Sequence, residues 1–208
     1  MIDSGAIAAG KLVQLAATVM NCKACRLHET RMNTVFESGS HVAELMFIGE
    51  GPGATEDKKG IPFVGASGEL LDRMLASIQF ARNDVYVCNV VKCRPPGNRT
   101  PRVDEVKACR GYLEQQVEIV RPKVIVTLGA TAMKALLGKA AKMTEQRGTW
   151  HEYRGIDVMT TFHPAYLLRE RKERPEDMKA HREVGEDMRA VAAKLGRTVA
   201  GPIDIGAK

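Results

Sequence analysis

At 208 residues, 44% hydrophobic and 27% charged, the chain has the make-up of a globular protein long enough to bury a core without disulfides, which excludes a disulfide-stapled miniprotein. An excess of 31 Lys and Arg over 25 Asp and Glu, net +6, favours a polyanionic partner without identifying one. No uncharged apolar run nears the ~20 residues of a membrane span, and Asp3 with no basic cluster ahead of an apolar core does not read as a signal peptide, so a single-domain cytoplasmic protein is expected.

In chain order, apolar periodicity predicts a helix over residues 6–20, followed by Cys22 and Cys25 as a C-x2-C pair. The run Leu45, Met46, Phe47, Ile48 predicts a buried strand that stops at the glycine-rich stretch GEGPGATEDKKGIPFVG, residues 49–65. Three glycines and a proline in its first five residues leave little side-chain bulk, so main-chain N–H groups can approach a ligand, and Gly51 and Gly53 can adopt angles closed to other residues. Glu50, Glu56 and Asp57 follow, then Phe63, a mixture suited either to a pocket for a flat, polar, uncharged group or to an ordinary turn with surface acids. Ser67 is the expected cap of a helix carrying Leu70, Leu71, Met74, Leu75 and Ile78, with Glu69 in its first turn.

Residues 85–91 read as a strand, and Asp104, or Thr100 with Pro101, opens a helix whose face includes Val106, Cys109, Tyr112, Leu113 and Val117. Pro122 breaks it. Val124–Leu128 is a second buried strand ending at Gly129, residues 131–137 a short helix stopped by Gly138, and Trp150–Tyr153 with Ile156–Thr161 a hairpin about Arg154 and Gly155. A polar amphipathic helix over residues 175–195 and a frayed end after Gly196 complete the chain. Strands alternating with helices predict an α/β fold with a mostly parallel sheet covered on both faces, whose carboxyl edge gathers the functional groups.

Three strand ends fall on that edge: residues 49–56, 89–99 and 162–168. The second reads NVVKCRPPGNRTP, an Asn followed by Lys92, Arg94 and Arg99. A buried Asn amide can pair with a base edge that presents a carbonyl beside an N–H, or simply form a turn. His163 at the third end is a structural imidazole unless other polar groups converge on it. Cys93 and Cys109, with fifteen residues between them, lie far from Cys22 and Cys25, while Cys88 falls inside a strand, where a buried thiol is the ordinary outcome. Four thiolates suit a structural zinc or an iron–sulfur cluster, and ligand count does not separate the two.

These motifs resemble family 4 of the uracil-DNA glycosylase superfamily, the iron–sulfur type. GE-G-PG-x-x-ED-x-x-G-x-PFVG, N-VV-K-C-RPP-x-NR-x-P and HPA-x-LL match in order and spacing, as does C-x2-C followed by C-x15-C, over about residues 15–195. The resemblance implies a three-layer αβα fold with a central four-stranded mostly parallel sheet, and a [4Fe-4S] cluster on Cys22, Cys25, Cys93 and Cys109. It implies a monomeric base-excision-repair enzyme that hydrolyses the glycosidic bond of a flipped-out deoxyuridine in DNA. Phe63 would stack on the uracil, and Asn89 would read its O4 and N3–H. Main-chain N–H groups of Glu50 and Gly51, in the loop shared with Gly53, would bind another base oxygen, and His163 would donate to O2 as the bond breaks. Leu167 would wedge into the stack, with Lys92, Arg99 and Arg169 on phosphates.

In the best-known family of the superfamily an Asp occupies the position of Gly51 and organises the attacking water. Here Glu56 is the first candidate for that task and Glu50 the second, and the small Gly51 leaves room for a second water or another deaminated base. A close relative that bonds covalently to the abasic site does so through a histidine in an inserted loop. Residues 83–110 hold no histidine, so free turnover is expected. A non-catalytic DNA binder would not need Phe63, Asn89 and His163 together.

Overall fold

The computed structural model describes residues 4–138, 141–169, 178–201, 203 and 205. Four parallel strands form the middle of the sheet: β2 (Leu45–Gly49), β3 (Tyr86–Asn89), β4 (Val124–Leu128) and β6 (Ile156–Thr161). Two antiparallel strands extend it, β1 (Ser38–Gly39) beside β3 and β5 (Trp150–Tyr153) beside β6, for an order β1-β3-β2-β4-β6-β5. The expected four strands are thus the parallel centre of a six-stranded sheet. β1 is too short for a period-2 pattern to register, and the predicted hairpin supplies β5.

Every residue of β2 and β4 is buried, because helices cover both faces, and so these strands read as unbroken apolar runs. Alternation sorts the side chains. Leu45, Phe47, Val87, Val126 and Met159 pack with α3 (Ala66–Ser77), α7 (Pro164–Arg169) and α8 (Lys179–Lys194). Met46, Ile48, Tyr86, Cys88 and Ile125 pack with α1 (Ser4–Met20), α4 (Val103–Val120) and α5 (Ala130–Leu137). The result is the three-layer αβα arrangement, and Cys88 is one of its core side chains. Among the described residues no helix is long and apolar enough to cross a membrane.

β2 lies between β3 and β4, so the chain leaves it in one direction and later returns on its other side. That reversal opens a crevice at the carboxyl ends of the strands.

Several boundaries differ from expectation. α2 (Ala54–Lys59) is a short helix inside the glycine-rich stretch, concealed by its glycines. α3 starts one residue before Ser67, with Gly65 as its cap residue and no side-chain cap. α4 starts at Val103, where the Glu105 carboxylate accepts the Arg102 N–H at 2.7 Å. The predicted first turns of the last helix, residues 175–177, lie outside the described residues. Beyond Gly196, where fraying is expected, Ile203 and Ile205 pack on the core.

Leu167 also belongs to that core, with no exposed surface. It therefore cannot be the wedge anticipated for it; its neighbour Leu168 is 38% exposed. A Leu167→Ala substitution should lower unfolding free energy by about 2–5 kcal/mol, the usual cost of a buried leucine. Urea denaturation reads this directly, and a value near zero would contradict the core placement.

Candidate active site

One pocket occupies the crevice and is lined by Glu50, Gly51, Phe63, Asn89, His163 and Arg169, among others. Phe63, Asn89 and His163, far apart in sequence, thus face one cavity. The Phe63 and His163 rings stack with centroids 5.7 Å apart and planes at 29°.

Close approach at this point demands glycine. A Cβ on Gly49 would lie 2.5 Å from both Phe63 Cζ and Asn89 Oδ1. A Cβ on Gly129 would lie 3.0 Å from His163 Cβ, and Gly129 has φ +85°. Gly129 is the site residue that the sequence reading passed over as a strand terminator; the signal was a glycine directly between a buried strand and a helix. A Cβ on Gly51 would lie 2.7 Å from Val91 Cγ2, so any larger residue there would have to displace that valine.

Phe63 itself has a left-handed backbone, φ +54°, which costs a non-glycine residue about 1–2 kcal/mol. Its surroundings hold it there. Glu56 Oε1 accepts the N–H groups of Val64 at 3.0 Å and Gly65 at 2.9 Å, and Glu56 Oε2 that of Gly53 at 3.1 Å. Arg82, paired with Asp72 at 3.0 Å, donates to the Phe63 carbonyl. Asp57 is buried and structural, accepting the Met32 N–H at 2.9 Å. Glu50, half-buried, accepts a hydrogen bond from the Thr131 hydroxyl.

His163 Nδ1 accepts the Ala165 N–H at 3.1 Å, which leaves the proton of a neutral ring on Nε2. The ring is held neutral: burial, and then the positive charge of Arg169, push its pKa down from 6.5 to about 4 against an opposing pull from Glu56. Asn89 is 1% exposed and its Oδ1 has no hydrogen-bond partner among the described residues. An orphaned acceptor this deep is costly unless a ligand completes it.

Two of the three expected phosphate contacts have other partners. Lys92 is fully buried, its ammonium bonded to the Asn89 carbonyl at 2.6 Å and to Gln116. Arg99 makes a two-pronged bond to the buried Glu105, at 2.8 and 2.6 Å, and holds that carboxyl below its usual pKa. Lys92 is thus sealed from a phosphate, whereas the Arg99 side chain is 31% exposed and lines the pocket. Arg169 is exposed at the pocket rim.

On the far side of α4, Cys22, Cys25, Cys93 and Cys109 line a second, small cavity. The sulfurs receive hydrogen bonds: Arg31 to Cys93 at 3.0 Å, the Lys92 N–H to Cys109 at 3.4 Å, and the Ala24 N–H to Cys22 at 3.4 Å. Burial raises the thiol pKa of Cys25, of Cys93 and of Cys109, the last to about 11. Among the described residues no three His, Cys, Asp or Glu side chains converge closely enough for one metal ion. Four soft sulfur donors around a shared space, with donors aimed at the sulfurs, fit a group that each thiolate would touch separately.

The family model for the uracil DNA glycosylase superfamily matches residues 36–184. A type-4 uracil-DNA glycosylase of Thermotoga maritima is 50% identical over 155 residues, covering 74% of this chain and 81% of the relative. Those of Sulfurisphaera tokodaii and Archaeoglobus fulgidus are 43% and 40% identical, covering 83% and 84% of this chain and 84% and 92% of theirs. With its pocket at the sheet's carboxyl edge and its four cysteines in place, the chain belongs to the type-4 uracil-DNA glycosylases of the uracil-DNA glycosylase superfamily.

Proposed function

We propose that this chain hydrolyses the glycosidic bond of deoxyuridine in DNA, releasing uracil for base-excision repair, with Phe63, Asn89 and His163 as the residues that hold and activate the base. The observation that carries the assignment of roles is the unpartnered Asn89 Oδ1, buried beside the Phe63 ring. A uracil lying on Phe63 would supply the missing N3–H, and the Asn89 amino group would meet O4. Cytosine presents an unprotonated N3 and an amino group at that edge, so both contacts would become repulsive.

A neutral His163 with its proton on Nε2 would donate to O2 as the N1–C1′ bond breaks and negative charge collects on the leaving base. A neutral donor also avoids the cost of burying an imidazolium before that charge exists. Glu56, whose oxygens serve three main-chain N–H groups, is a positioning residue for the Phe63 loop in this reading. Glu50 then becomes the better candidate to orient the attacking water, reversing the sequence-based ranking. A [4Fe-4S] cluster on Cys22, Cys25, Cys93 and Cys109 would serve as a cross-link, tying the end of α1 to the loop and helix that follow Asn89. Leu168, exposed on the same turn of α7 as Ala165 and Arg169 at the pocket, takes the wedge role in place of Leu167.

Incubation with a uracil-containing oligonucleotide followed by alkali tests the activity; intact but shifted DNA would count for a mere binder. His163→Ala should lower kcat by ~10²–10³ with little effect on DNA affinity, the usual loss for a donor aimed at developing charge. Glu50→Gln should also lower kcat at unchanged melting temperature, and Asn89→Asp should abolish uracil excision. Equal rates for wild type and His163→Ala would remove the mechanism.

Stability should follow His163. Above pH 6.5 both folded and unfolded forms are neutral there; as pH falls from about 6.5 through about 4 the unfolded chain takes up a proton that the folded chain refuses, and stability is lost. Melting temperatures across that window should drop less steeply in His163→Gln than in wild type.

Leu168→Ala should slow excision from duplex DNA several-fold while sparing single-stranded substrate, where no stack needs filling. Equal slowing on both would argue against a wedge.

A further inference from the structure

Lys92 is 1% exposed, and among the described residues no carboxylate pairs with it. A polar group at that depth is costly unless hydrogen-bonded. Its Nζ donates to the main-chain oxygen of Asn89 at 2.6 Å and to Gln116 Oε1, and it lies 5.9 Å from the centre of the Phe36 ring. Gln116, also buried, is fixed in turn by donating to the Phe36 carbonyl at 3.1 Å and to the Tyr86 hydroxyl at 2.8 Å.

The Asn89 carbonyl needs such a donor for a topological reason. The Val90 N–H bonds to Gly49 O on β2 at 2.9 Å. In a planar trans peptide the Asn89 carbonyl then points the opposite way, towards β1. β1 pairs only with Tyr86 and Val87, so the sheet offers that oxygen no partner. Lys92 closes the gap.

We propose that Lys92 is a positioning residue for base reading: by gripping the Asn89 carbonyl from behind the strand end, it fixes the direction in which the Asn89 amide meets the uracil edge. The inference rests on the base-reading role of Asn89 proposed above. Lys92 is also the link to the second cavity, since its own N–H bonds to Cys109 Sγ and Cys93 is the next residue.

The test uses the full chain as purified, with iron content, absorbance near ~400 nm and melting temperature recorded for each variant. Free uracil is the probe for the base edge and abasic-site DNA the probe for everything else. In Lys92→Met the inhibition constant of free uracil should rise ~10-fold or more, the scale of one misaligned hydrogen bond, while abasic-DNA affinity and iron content stay within twofold. Gln116→Leu, which frees the ammonium without touching the pocket, should move uracil affinity the same way and serves if Lys92→Met does not fold. Unchanged uracil affinity in the folded variant overturns the proposal, as does a parallel fall in uracil affinity, DNA affinity and iron, which would mark Lys92 as structural only. Asn89→Asp separates the two readings. If it keeps uracil affinity, the base-reading role fails and the Lys92 inference with it; if it loses affinity while Lys92→Met does not, positioning alone is wrong.

Discussion

The whole pocket depends on one carboxylate turned inward. Glu56 sits in the first turn of a short helix and gathers three main-chain N–H groups, from Gly53 before it and from Val64 and Gly65 after it. This folds residues 49–65 back on themselves, so that the segment leaving β2 returns to the same strand end. Only with that closure does Phe63 come over His163. Charge-assisted bonds to main-chain donors are among the stronger neutralising contacts available to a buried acid, and they do not ask Glu56 to be a base. This acid thus acts on the geometry of the loop.

Cations show the same inward use. The net charge of +6 suggests a broad electropositive face, yet several of the most suggestive cations are engaged internally. Arg82 holds the Phe63 carbonyl, Lys92 the Asn89 carbonyl, and Arg99 the Glu105 carboxylate that caps α4. The segments that carry Phe63 and Asn89 are therefore each steadied by a cation on the main chain. Arg169, by contrast, stays exposed at the pocket rim.

The layered α/β fold could be read from the sequence because β2 and β4 are covered on both faces and appear as unbroken apolar runs, and because the helices between them keep a clean apolar stripe. The motif residues were legible too, since long patterns in register constrain each other. What could not be read was direction. Leu167 and Leu168 are both leucines on one helix turn, and a rotation of about a hundred degrees decides which is core and which meets solvent. Lys92 and Arg99 sit in a stretch rich in basic residues and prolines, where nothing local says that a glutamine 24 positions later and a glutamate six positions later claim them. Gly129 was visible only as punctuation, because its importance lies in how near another chain segment passes.

Phe63 carries a conflict that reaches beyond the pocket. Its left-handed backbone would be more comfortable with glycine or asparagine, so the residue that would stabilise the turn and the residue proposed to cushion a base are different amino acids at one address. A glycine at position 63 would relax the loop and remove the ring that stacks on His163. A chain of this fold bearing glycine at position 63 would be a sound scaffold that had abandoned its trade.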